Sequence, residues 1–119
     1  MQIYIVEPDA DLSGLLAFIL RHAGHEVTTT GSLAAAVPLI GLAPPSLMVL
    51  RVELPDLGTP ALRLLLHARA RRPTLVLTTA NPAWVAGALG LPAENCFALP
   101  LQAAALQRRL TDLEEEMAG

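Results

Sequence analysis

The sequence predicts an α/β domain in which helices cover both faces of a five-stranded parallel sheet. Short aliphatic runs alternate five times with segments of helical spacing. The runs are continuously apolar, which is typical of strands buried on both faces, and right-handed crossovers then give a three-layer, doubly wound architecture. The 119 residues suffice for one core and no linker interrupts them, so we expect a single domain over residues 1–119.

The first half of the chain predicts three strands and two helices. In order, these are a strand at Ile3–Val6, a helix ending at Gly24, a strand at Glu26–Thr30, a helix from Ser32 to about Leu42 and a strand at Leu47–Val52. Asp9 is the expected N-cap of the first helix, because its carboxylate can accept from free backbone amides. Helical spacing places the buried face of that helix on Leu12, Leu15, Leu16 and Ile19.

The second half continues the alternation with three helices and two strands. In order, we expect a helix at about Ala61–Arg71, a strand at Leu75–Thr78, a short helix at Ala83–Leu89, a strand at Asn95–Leu99 and a last helix at Leu101–Met117. Pro73 ends the first of these helices, because a proline removes a backbone donor and clashes with the preceding turn.

Composition excludes several classes of protein. The uncharged runs 28–50 and 73–93 are long enough for membrane helices. However, Pro38, Pro44 and Pro45 interrupt the first run, and Asn81-Pro82 interrupts the second. We therefore expect no membrane span. A net charge of -3 argues against a nucleic-acid surface. The single cysteine, Cys96, excludes an intrachain disulfide and favours a cytoplasmic protein.

Ligands of such sheets bind beyond the carboxyl ends of the strands. The residues at those ends are Glu7, Pro8 and Asp9 after the first strand, Arg51 to Glu53 after the third, Thr78 and Thr79 after the fourth, and Leu99 and Pro100 after the fifth.

This order of elements resembles the receiver domains of two-component response regulators. The stretches that carry the resemblance are Ile5–Leu12, Ser46–Gly58, Leu75–Ala80 and Phe97–Leu101. The resemblance covers essentially the whole chain and implies the flavodoxin-like receiver fold with strand order 2-1-3-4-5. It also implies a cis peptide bond between Leu99 and Pro100.

In receivers, an Asp at the end of the third strand accepts a phosphoryl group. That Asp, an acidic residue after the first strand and a backbone carbonyl hold Mg²⁺, while a Thr or Ser and a Lys engage the phosphoryl oxygens. In this sequence Arg51 stands in place of the acceptor, Pro8 in place of the second acidic residue and Leu99 in place of the Lys. The residues that match the pattern are Glu7, Thr78 and Pro100, and the aromatic of the fifth strand falls on Cys96 or Phe97.

These departures predict a pseudo-receiver. A guanidinium has no nucleophilic oxygen and repels Mg²⁺, so Arg51 can neither form an acyl phosphate nor help to bind the metal. We therefore expect no enzymatic activity, no metal and no cofactor. Neither neighbouring carboxylate is a good substitute acceptor, because Asp9 is expected to cap its helix and Glu53 to turn its side chain to solvent.

A sharper hypothesis is that Arg51 pairs with Glu7 or Asp9 and fills the place of the metal. The alternative is that the guanidinium of Arg51 reaches out of an emptied pocket to water.

The last helix carries an apolar seam. Core packing is its default role, and the seam can extend a contact surface that receivers use for dimers and partners. The candidate interaction face comprises Trp84, Cys96, Phe97, Leu106, Leu110, Leu113 and Met117. The dispersed histidines His22, His25 and His67 are expected at the surface or at helix ends, and the basic cluster Arg69, Arg71 and Arg72 at backbone carbonyls near a helix end.

We therefore expect a signalling module that contacts a protein partner or a second copy of itself, and neither nucleic acid nor membrane. Two alternatives remain open. One is a response regulator with a non-standard phosphoacceptor, and the other is a flavodoxin-like domain that binds a small ligand in the emptied pocket.

Overall fold

Five short segments form one parallel sheet in the order β2-β1-β3-β4-β5. The strands are β1 (Gln2–Val6), β2 (Glu26–Thr30), β3 (Leu47–Arg51), β4 (Thr74–Thr78) and β5 (Cys96–Ala98). The helices are α1 (Ala10–His22), α2 (Leu33–Leu42), α3 (Thr59–Ala68), α4 (Pro82–Leu89) and α5 (Ala103–Ala118). The computed structural model describes residues 1–56, 58–69 and 71–118. The predicted fold class and strand order are confirmed.

Alternate residues of the central strands face cores on the two sides of the sheet. One core packs Ile5, Val49 and Leu77 against α1 and α5. The other core, on the opposite face of the sheet, packs Tyr4 and Leu50 against α2 and α3. Burial on both faces explains why β1, β3 and β4 are almost continuously apolar in sequence, whereas the edge strand β2 is more exposed and carries three threonines.

Side chains cap three of the helices. Asp9 accepts from the backbone N–H groups of Asp11 and Leu12, and Ser32 accepts from that of Ala35, as the sequence predicts. Asn81 does the same at the start of α4. These caps satisfy N–H groups that have no partner within a helix.

The buried face of α1 differs from the predicted one. The residues that are buried are Ser13, Leu16, Ala17 and Leu20. Leu15 is 53% exposed, so its assignment to the core is wrong. The helix is rotated so that the small side chains of Ser13 and Ala17 face the sheet, which leaves room for close approach.

Several element ends also differ from the sequence expectation. Helix α3 ends at Ala68 rather than Arg71, and the side chain of the next residue, Arg69, donates to the backbone carbonyls of Pro45 and Pro73. Strand β5 begins at Cys96, since Asn95 belongs to a short 3-10 turn and donates to the Thr74 carbonyl. The Leu99–Pro100 peptide bond is cis, as expected.

The two uncharged runs are divided between strands and helices. Run 28–50 comprises part of β2, α2 with Pro38 inside it, and most of β3. Within the described ranges, no helix has both the length and the apolar character needed to cross a membrane.

Candidate functional site

The carboxyl ends of β1, β3 and β4 lie side by side and bring three polar side chains together. Val6 pairs with Leu50, and Arg51 pairs with Leu77, so Glu7, Arg51 and Thr78 follow or end adjacent strands. The backbone N–H of Glu7 continues the ladder by donating to the Thr30 carbonyl at 3.0 Å. Parallel register therefore places these residues at one edge of the sheet.

Arg51 forms an ion pair with Glu7. Its Nη1 donates to Glu7 Oε1 at 2.5 Å. The Glu7 side chain is fully buried, whereas that of Arg51 is 17% exposed. The predicted pair is confirmed for Glu7, and the alternative, a guanidinium turned away to water, is wrong.

Glu53 completes a network that joins three strand ends. Arg51 Nε donates to Glu53 Oε1 at 3.1 Å, and Thr78 Oγ1 donates to Glu53 Oε2 at 2.6 Å. The backbone N–H of Thr79 also donates to Oε1, at 3.1 Å. The expectation that the Glu53 side chain points to solvent is therefore wrong. Arg51 and Thr78 present donors towards the loop, and Glu53 is the acceptor that reaches both.

The network fixes the charge states of Glu53 and Arg51. Burial raises the pKa of Glu53, but hydrogen bonds from Thr78, Thr79 and Arg51, together with the positive charge of Arg51, outweigh burial and leave the pKa below its usual value. Burial lowers the pKa of Arg51, but its bonds to Glu7 and Glu53 outweigh that effect and raise it. Glu53 and Arg51 are therefore both ionised at neutral pH.

Asp9 and Asp56 are both used to cap helices. Asp9 accepts from Asp11 N–H at 2.9 Å, so it caps α1 as predicted and does not pair with Arg51. Asp56, which follows β3, accepts from the backbone N–H groups of Leu33 and Ala34 at 3.2 and 2.9 Å. These two bonds lower the pKa of Asp56. Sequence reasoning missed this role, because the contact joins residues 22 and 23 positions apart.

The donor set at this edge does not fit Mg²⁺. The metal needs several free oxygen ligands, usually carboxylates and water. Here Arg51 engages one carboxylate oxygen of Glu7 and one of Glu53, and Pro8 contributes no side-chain ligand. In the part of the chain that the structure describes, no group of three or more His, Cys, Asp or Glu residues is arranged to hold a metal ion.

The fifth strand supplies no cation to this edge. Leu99, at the position of the receiver Lys, packs against the core formed with α1 and α5, and Pro100 follows it across the cis bond. The Thr78 hydroxyl, besides donating to Glu53, accepts from the Ala80 N–H at 3.0 Å. Thr78 thus has its hydrogen bonds within the protein.

The candidate interaction face is only partly exposed. Three of its leucines, Leu106, Leu110 and Leu113, are buried in the core and are not available as a surface. Cys96 is buried, which raises the pKa of its thiol, and Phe97 is partly buried against the core. Trp84 and Met117 remain, with 71% and 48% of their surfaces exposed.

His25 and Arg69 are both buried. His25 is 8% exposed, accepts at Nδ1 from the Met1 amino group and lies 3.4 Å from Glu114 through Nε2. His25 is therefore not at the surface, but it lies at the end of α1, the other place expected for it, where its backbone N–H donates to the Leu20 carbonyl. Arg69 is buried and donates to the carbonyls of Pro45 and Pro73, so the predicted carbonyl contact is confirmed.

Comparison with known structures places this architecture in one class. The chain is similar to a protein of Chloroflexus aurantiacus assigned as a response regulator, with 25% identity, a TM-score of 0.80 and 93% and 94% of the two chains covered. It is also similar to the signal receiver domain of a DNA-binding response regulator of Colwellia psychrerythraea, with 21% identity, a TM-score of 0.83 and 97% and 98% covered.

A third similar structure is the chemotaxis response regulator CheY4 of Vibrio cholerae, with 19% identity, a TM-score of 0.79 and 93% and 96% covered. No protein-family model and no curated protein sequence matches the chain. The chain therefore has the flavodoxin-like fold of response-regulator receiver domains, and it carries an arginine at the end of β3.

Proposed function

We propose that this chain is a pseudo-receiver: a signalling module that is held in one state by its own side chains and acts through contacts with other proteins. In this proposal it is not an enzyme, uses no cofactor and is not phosphorylated at the end of β3. The observation that carries the proposal is the Arg51 guanidinium, which binds Glu7 on one side and Glu53 on the other.

The network supports this proposal because it occupies the place where metal and phosphoryl chemistry would occur. Arg51 has no acceptor atom and no nucleophilic oxygen. Its positive charge lies among the carboxylates, where a divalent cation would otherwise bind. The side chains themselves therefore join the ends of β1, β3 and β4.

The bond between Glu53 and Thr78 supports a fixed loop conformation. Thr78 is fully buried, and its hydroxyl is bonded to Glu53 at 2.6 Å. Asp56 holds the next part of the same loop to the start of α2. The loop after β3 is thus attached at Arg51, Glu53 and Asp56, which favours a single conformation without an external ligand.

The alternative with a non-standard acceptor has little support in the structure. Glu53 is bonded through both oxygens, and Asp9 caps α1. A phosphoacceptor needs a carboxylate oxygen that is free to attack, whereas Arg51, Thr78 and Thr79 engage both oxygens of Glu53. For the small-ligand alternative, the polar groups of Arg51, Glu53 and Thr78 are engaged with one another and with Glu7, so they are not free to bind a ligand.

Labelling with acetyl phosphate and Mg²⁺ tests the proposal. Intact-mass spectrometry of the wild-type chain is expected to show no phosphoryl adduct, and Arg51→Asp alone is expected to show none, because Pro8 and Leu99 remain. The combined variant Pro8→Asp, Arg51→Asp and Leu99→Lys is the matched positive control. A Mg²⁺-dependent adduct on the wild-type chain or on the single variant would contradict the proposal.

We propose that the partner is a protein or a second copy of the chain, and that Trp84 belongs to the contact. A tryptophan that is 71% exposed favours such a role, since large aromatic side chains contribute strongly to protein interfaces. Sedimentation velocity of the wild-type chain and of Trp84→Gln distinguishes the two partners. Self-association that Trp84→Gln abolishes indicates a homodimer, and a monomer in both cases indicates a different protein. Self-association that the variant leaves unchanged would exclude Trp84 from the contact.

The cytoplasmic location also stays a proposal. It is supported by the single cysteine of the sequence, Cys96, which is free and buried.

A further inference from the structure

A groove lies at the opposite end of the sheet from Arg51. Its walls come from the end of α3, the end of α4, the start of β4 and one face of α5. The groove has a volume of about 600 Å³, within the range of small-molecule sites. It shares no residue with the network at the carboxyl ends of the strands.

Arginines dominate the charge of this groove. The sequence has eight basic residues other than histidine, all of them arginine, and four of these line the groove: Arg69, Arg71, Arg72 and Arg109. Glu116 is the acidic residue among the groove's described lining residues. A chain with a net charge of -3 thus concentrates positive charge at one concave surface.

Arg69 supplies buried positive charge without a carboxylate partner among the described residues. It is 5% exposed, and its three nitrogens donate to neutral oxygens of Thr74, Pro45 and Pro73 at 3.1–3.3 Å. Burial, together with repulsion from Arg72, lowers the pKa of Arg69 to about 10. The protein therefore bears a cost for this cation that a bound anion would offset.

Arg109 is held in place on another wall. Its Nε donates to Asn95 Oδ1 at 2.8 Å, and Asn95 donates to the Thr74 carbonyl at 3.3 Å. Its Nη1 donates to Glu116 at 3.3 Å. Arg71 and Arg72 are exposed, and Arg72 Nη1 donates to the Pro45 carbonyl at 3.4 Å. Arg71 can turn towards a ligand.

The groove also has an apolar wall. Leu66, Leu89, Leu91 and Leu113 line it beside the arginines. An apolar wall accepts a planar or apolar body, while guanidinium groups match the paired oxygens of phosphate.

We propose that this groove binds a small molecule that carries phosphate groups on a planar or apolar body. The arginines hold the phosphates, and the leucines contact the body. The site is independent of the proposed function, since none of its residues belongs to the Arg51 network.

Isothermal titration calorimetry with inorganic pyrophosphate and with ATP, both without Mg²⁺, tests this proposal. We expect both probes to bind with dissociation constants below about 1 mM, ATP the more tightly, and affinity to fall as salt rises. The double variant Arg71→Gln, Arg72→Gln is expected to bind pyrophosphate at least about tenfold more weakly than the wild type, because it loses charge-assisted hydrogen bonds.

Arg108→Gln is the matched control, because Arg108 is an exposed arginine of α5 that does not line the groove. It should change the affinity less than about twofold. Arg71→Gln alone, at an exposed position, repeats the test if the double variant is poorly folded. The proposal is overturned if neither probe binds, if Arg108→Gln weakens binding as much as the groove variants, or if ATP binds no more tightly than pyrophosphate.

Discussion

Replacing Arg51 by Met removes the cation that compensates the buried Glu7 carboxylate. The Glu7 side chain is fully buried, and without Arg51 it keeps one long hydrogen bond, from the Asp9 N–H at 3.5 Å. Breaking a buried ion pair by removing one partner costs about 3–5 kcal/mol, because the remaining charge is left in a medium of low polarity. We therefore expect Arg51→Met to lower the free energy of unfolding by about 3 kcal/mol or more at neutral pH.

The stability lost in Arg51→Met should be regained when the charge of Glu7 is removed as well. The double variant Arg51→Met, Glu7→Leu replaces the pair by apolar side chains, so we expect its stability within about 1 kcal/mol of the wild type. Urea unfolding of the wild type, both single variants and the double variant gives the coupling energy, for which we expect about 2 kcal/mol or more. In a thermal scan, Arg51→Met should melt about 10–15 °C below the wild type. A loss under about 1 kcal/mol for Arg51→Met would refute the inference that this pair compensates a buried charge.

Three further variants test the electrostatics of the fold. The lowered pKa of Glu53 gives stability that is present above the ordinary pKa of 4.5 and is lost as the pH falls through the folded-state value. In urea unfolding, the free energy of unfolding of Glu53→Gln should therefore fall less steeply with decreasing pH than that of the wild type. An unchanged slope would contradict this. Burial and the nearby amino group lower the pKa of His25 against the opposing charge of Glu114, so stability is lost as the pH falls below 6.5. His25→Gln should remove that loss, and a persistent slope would assign it elsewhere. Asp56→Ala should lower the melting temperature, because it leaves two N–H groups of α2 without their acceptor. The control Asp112→Ala, at an exposed position of α5, should not lower it. Equal effects of the two variants would show that Asp56 does not stabilise the start of α2.

The sequence was sufficient for the architecture because burial on both faces leaves a simple pattern. Continuous aliphatic runs predicted β1, β3 and β4, and the caps at Asp9 and Ser32 predicted where α1 and α2 begin. The rotation of α1 was not predictable, because Leu12, Leu15, Leu16 and Ile19 form as regular a stripe as the one that is buried. Tertiary packing of Ser13 and Ala17 against the sheet decided between them.

The candidate site also has a part that the sequence predicts and a part that it does not. Complementary charge at adjacent strand ends predicted the bond between Arg51 and Glu7. The positions of Glu53 and Asp56 depend on how a loop folds back onto residues more than 20 positions away, which no local pattern records. The arginine groove was missed for a related reason. Arg109 and the cluster at the end of α3 are distant in sequence and meet only in the fold.

We propose that the protein's own side chains hold the ends of β1, β3 and β4 together, so that the phosphorylation chemistry of receivers does not occur there. Titration of the ¹⁵N-labelled chain with Mg²⁺ and beryllofluoride, followed by two-dimensional amide NMR, reports on this proposal residue by residue. We expect no saturable shift of the amides of Glu7, Arg51, Glu53 or Thr79. Saturable Mg²⁺-dependent shifts at these residues would contradict it.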